Sequence, residues 1–138
     1  MSRSTSLNTG TPARAIGYAV SQALYRTFAF DTGLVGTADT IVVGAIPSGA
    51  RITRCVVYVD TAFNAATTNE FQLGTAADPD AYVEADDVDL TVTGAVEVTD
   101  RVAVTTFSSD TTVYLQYDQT GTAATTGAGA VLIEYIVP

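Results

Sequence analysis

An all-β sandwich is the fold class this sequence predicts, and three observations predict it. One third of the 138 residues are β-branched, as 17 Val, 6 Ile and 23 Thr. Such side chains are stiff at χ1 and fit a pleated surface better than a helix. Leucine, at seven, and glutamate are scarce, which removes common helix formers. Short apolar or alternating runs recur roughly every ten residues between turn signals, the spacing of a sandwich or barrel. The expected architecture is a β-sandwich, jelly-roll-like in its long-range connections, with one short helix and an N-terminal arm. Residues 1–22 are expected as arm and lead-in, and 23–138 as the sandwich domain.

The elements follow in order. Residues 1–12 are polar, with Gly10 and Pro12 as breakers, and read as an arm that a partner orders. Ile16, Val20 and Leu24 have helical spacing, but Gly17 and the short length favour an irregular lead-in running into a strand. Residues 23–31 alternate, with Leu24, Arg26, Phe28 and Phe30 on one face. Residues 40–45 form a second apolar run, and Ile46-Pro47-Ser48-Gly49 reads as a turn with Pro second and Gly fourth. Residues 51–60 are apolar on both faces at their centre, which predicts a strand deep in its sheet. Residues 69–75 alternate through Phe71 and Leu73. Asp78 as N-cap and Pro79 as first helical residue predict a short helix near 79–86. Strand patterns resume at 88–92, 95–99, 101–107, 111–118 and 128–137, with a hairpin turn at 108–110 and a polar loop at 119–127. Eight to ten strands result. Gly127-Ala128-Gly129-Ala130 reads as a strand entry where backbones approach closely.

Composition narrows function. There is no His, Lys or Trp, and Cys55 is the single cysteine. Without His there is no Ser-His-Asp triad, no Cys-His pair and no imidazole acid or base. Without Lys there is no Schiff base and no P-loop lysine. No glycine-rich phosphate cradle occurs either. The expectation is a protein that is not an enzyme and needs no cofactor. Cys55, inside an apolar run, reads as a small buried hydrophobe rather than a reactive thiol.

Net charge is −9, which argues against nucleic acid and against anionic membranes as partners. The charge is split. Residues 1–30 hold Arg3, Arg14 and Arg26 and no acid, while residues 31–138 hold three arginines against all 15 acids, a net of −12. Arg3 and Arg14 are therefore the expected partner contacts. No secretory signal or membrane-spanning run is apparent, so a soluble protein made in the cytoplasm is expected. Asp78, Asp80, Glu84, Asp86, Asp87 and Asp89 place six carboxylates in twelve residues. The run lacks the EF-hand pattern, and a solvated acidic loop is preferred over a calcium site, with no metal ligand assigned. Arg51 and Arg54 flank the strongest strand and read as strand-end ion pairs or partner contacts.

From Ile46 to Asp89 the sequence resembles small tailed-bacteriophage virion structural proteins of the head decoration or cement type. The resemblance rests on Ile46-Pro47-Ser48-Gly49-Ala50, Thr61-Ala62-Phe63-Asn64, the stretch from Gly74 to Tyr82 (GTAADPDAY), and the DLT from Asp89 with Gly94 after it. It covers about a third of the chain, and residues 1–45 and 95–138 do not contribute. It implies a β-sandwich, often jelly-roll-like, that assembles as a homotrimer on the outside of a capsid and stabilises adjacent capsomers through the major capsid protein. Other virion roles (tail, baseplate, fibre attachment) and a carbohydrate- or receptor-binding module remain open at this point.

Overall fold

The computed structural model describes residues 20–31 and 40–138. Arg3, Arg14 and the expected arm up to residue 19 lie outside the described residues. Seven strands form two antiparallel sheets packed face to face. They are β1 (Gln22–Ala29), β2 (Thr40–Ile46), β3 (Arg51–Thr61), β4 (Thr68–Gly74), β5 (Gly94–Glu97), β6 (Thr111–Thr120) and β7 (Ala128–Ile136). One sheet has the order β1-β7-β3-β5 and the other β2-β6-β4. The all-β sandwich class is as expected, with seven strands among the described residues rather than eight to ten.

The two-sided apolar centre of β3 finds its reason here. β3 lies between β7 and β5, so Val57 faces the core while Val56 and Tyr58 face the opposite way, beside Leu132 and Ala130 of β7. Cys55 is fully buried on the core side. β1 lies at the other edge of this sheet, and its Leu24 covers Gly44 of β2 in the second sheet. Four aromatic rings tie the layers together. Phe28 of β1 lies 5.6 Å from Phe63 and 5.1 Å from Phe71 of β4, and Phe63 lies 4.8 Å from Tyr117 of β6. Offset aromatic contacts of this kind add to simple burial.

Five local expectations are corrected. The turn after β2 is shifted by one residue. Ala50 N–H donates to Pro47 O at 3.2 Å, and Gly49, at φ +86°, takes the third position, where a positive φ is required. No helix forms at 79–86. Tyr82 and Val83 N–H both donate to Leu73 O, and both side chains are buried, so pairing with β4 outweighs the capping signal. Residues 88–92 keep the alternation of a strand, with Val88 and Leu90 buried, but form no ladder. Residues 101–107 hold a short 3-10 helix (Val102–Val104) instead of a strand, and so 108–110 is no hairpin turn. That loop braces the turn after β2. Gly49 N–H donates to Phe107 O at 2.7 Å, and Ser48 N–H to Asp110 Oδ1 at 2.9 Å.

Candidate functional site

The acidic run does not gather into a single cluster. Among the described residues no three His, Cys, Asp or Glu side chains stand close enough to hold a metal ion. The carboxylates are instead distributed to separate tasks. Asp89 Oδ1 accepts from the Thr91 N–H at 2.9 Å and its hydroxyl at 2.6 Å, and these bonds lower the Asp89 pKa. Asp87 Oδ2 accepts from Glu84 N–H at 2.9 Å, closing a tight loop. Asp80 hydrogen-bonds the Asp78 carboxyl and, with desolvation and its own charge, raises the Asp78 pKa.

Arg101 is the residue that organises this loop. Its guanidinium pairs with Glu84 and, at 3.2 Å, with Asp87. Nothing in the local pattern of Arg101 announced this, because it reads as one more strand residue. Of the two arginines that flank the strongest strand, Arg54 pairs with Glu97 across the β3–β5 edge at 3.7 Å, and Arg51 is exposed at the start of β3.

The held-off course of residues 85–91 leaves a shallow polar cleft of about 330 Å³ along β4, with Thr68, Asn69 and Glu70 on one side and Asp86, Asp89 and Thr91 on the other. Leu73 exchanges both hydrogen bonds with Val83, so the strand's alternation turns the N–H and C=O of Phe71 and Asn69 to the same side. Among the described residues neither makes a main-chain hydrogen bond on that side; Asn69 lines the cleft, whereas Phe71 is fully buried and does not. Just beyond the cleft, strand register places Glu70 directly opposite Asp118. Asp118 Oδ1 is shielded from solvent and has no hydrogen-bond partner among the described residues. Below this edge, Asn69 is held by Ala65 at both main-chain groups, and its Oδ1 also accepts from Tyr117 OH at 2.8 Å. The described residues give the cleft polar walls and an acidic margin.

No family model matches the sequence, and no curated protein does. Solved structures do match. A chain of the capsid asymmetric unit of cyanophage Pam1 superposes with a TM-score of 0.72 at 22% identity, covering 100% of both chains. The fold is that of phage capsid-structure chains. A chain of the acid-stable capsid of Helicobacter pylori bacteriophage KHP30 follows with a TM-score of 0.62 at 17% identity, covering 88% of this chain and 90% of that one. One from the capsid of Ralstonia phage GP4 has a TM-score of 0.57 at 18% identity, covering 99% and 92%. The shared fold extends through residues 95–138 and into the N-terminal third, where the sequence resemblance was silent. Among the described residues no helix is long and apolar enough to cross a membrane.

Proposed function

We propose that this chain is a structural protein of a bacteriophage head, of the decoration or cement kind, which binds the outer capsid surface as a homotrimer and holds adjacent capsomers together. The end-to-end likeness to a chain of the Pam1 capsid asymmetric unit carries this reading, because the whole domain, and not a fragment of it, is matched. The strand orders support a seven-strand jelly roll, in which residues 85–91 stand where an eighth strand would pair with β4. Cement needs no reacting group. It needs apolar and main-chain surface to cover, at about 25 cal/mol per Å² of apolar area before ordering costs. The −12 of residues 31–138 keeps free copies apart and repels packaged DNA, which favours the outside of the shell over the inside.

The test is light scattering of the purified protein followed by co-sedimentation with empty, tail-less heads of the phage that encodes it. Saturable binding to tail-less heads, in many copies per head and as a trimer, is the expected result. Retention only on particles that carry tails would replace the reading with a tail or baseplate role, and no retention on any particle would sink it.

A further inference from the structure

We propose that the outer face of the four-stranded sheet is a contact between two copies of this chain, each face packed on the other across a two-fold axis. An antiparallel sheet that meets water on one side normally turns polar residues to that side. This one does not. Register puts Tyr25, Leu132 and Val56 in one row across β1, β7 and β3, and Thr27, Ala130 and Tyr58 in the next. None of these side chains belongs to the core between the sheets. Tyr25 is 59% exposed, and Leu132 and Tyr58 are partly exposed. The outer face of the other sheet is the contrast, with Glu70 opposite Asp118 and Gln72 opposite Gln116. An apolar patch on one sheet and a polar face on the other mark the first as the side that is covered.

Shape and charge select a second copy. Tyr58 stands directly opposite Ala130, and Tyr25 lies diagonal to it on the other side. The small residue leaves a hollow between two rings. A ring of each copy can then enter the hollow of the other, the self-complementarity that a two-fold contact requires. The two rows carry no charge, and beside them Arg54 pairs with Glu97 at 3.7 Å. In a chain of net charge −9, copies approach one another with least repulsion at such a neutral patch. Area sets the strength. Four strands about 4.8 Å apart, with roughly six residues of each at about 3.3 Å, make a face of ~400 Å², half of the ~800 Å² per partner in a stable interface. The pairing is therefore weak for free copies and adds up when many are held side by side on a shell. It joins copies two by two, so it links one trimer to the next rather than building the trimer. That last step rests on the capsid reading, whereas the contact itself does not.

Sedimentation velocity of the full-length protein over a wide concentration series, with no particles present, tests it. The wild type should double its basic oligomer at high concentration, and added salt should not reverse this, because the contact is apolar. Tyr25→Glu and Leu132→Glu should each abolish the doubling. Tyr114→Glu, on the outer face of the other sheet, should leave it as in the wild type. Doubling that survives Tyr25→Glu, or that Tyr114→Glu abolishes equally, would overturn the proposal. So would a wild type that never exceeds its basic oligomer. The face would then belong to the shell if Tyr25→Glu also weakens binding to heads, and to the chain's own first nineteen residues if it does not. If circular dichroism shows that the glutamate variants unfold the sandwich, Tyr25→Ser takes their place, and unchanged doubling of that variant is the overturning result. Doubling in solution by a protein that binds no head would leave this contact standing and remove the capsid reading.

Discussion

Cys55 and Tyr117 make the core sensitive to alkali. Desolvation, with the Glu97 charge behind it, pushes the Cys55 thiol from 9.0 up to about 12, and desolvation, with the Asp118 charge, pushes Tyr117 from 10.0 up to about 12. In both cases the folded state holds a proton that the unfolded chain releases earlier. Their contribution to stability is therefore intact below pH 9 and lost as pH climbs from 9 towards 12, at about 1.4 kcal/mol per pH unit for each group. Urea unfolding between pH 8 and 11 should show stability falling from about pH 9. Cys55→Ala should flatten the first part of that fall, and Tyr117→Phe the part above pH 10. A profile that stays level to pH 11, or that neither substitution changes, contradicts this account. Tyr117→Phe also removes the hydroxyl that donates to Asn69, which costs on the order of 1 kcal/mol at neutral pH.

Among the elements, the 84–91 segment depends on contacts from outside itself. It has the alternation of a strand but no ladder, and Arg101 ties its first turn to the segment that runs beside β3. These pairs are reached by solvent, so they contribute little to global stability and more to local order. Arg101→Met should speed amide exchange across residues 84–91 while leaving the urea midpoint nearly where it was. Unchanged exchange would mean that burial of Val88 and Leu90 alone holds the segment. The contrast with β3 shows what the sequence reveals and what it conceals. β3 carries apolar residues on both faces, and an interior strand needs just that, so its place was legible. The Gly127–Gly129 entry was legible for a similar reason, since a Cβ on Gly127 would strike the Phe63 ring and one on Gly129 would strike Tyr58 O. The 88–92 run has the same local pattern as a true strand, and whether it pairs depends on how Arg101 and Val83 position it. The candidate site was less legible still. Glu70 and Asp118 are 48 residues apart, and only the β4–β6 register makes them neighbours.

At the scale of the whole molecule, β1 pairs only with β7, so the described chain closes its first strand on its last and should unfold as one unit. All the strands described begin at Gln22 or later. Deleting residues 1–12 should therefore leave the thermal midpoint unchanged. The same deletion removes Arg3 and the polar run around it, and it lowers the positive charge of residues 1–30 from +3 to +2 against the −12 that follows. If that leader makes contacts between subunits or with the shell, the truncated protein should bind particles more weakly, and the deficit should shrink as salt rises and the charge contrast is screened. Full-strength decoration by a truncated protein of unchanged midpoint would assign assembly to the sandwich surface alone. A lowered midpoint would instead make the first twelve residues part of the fold.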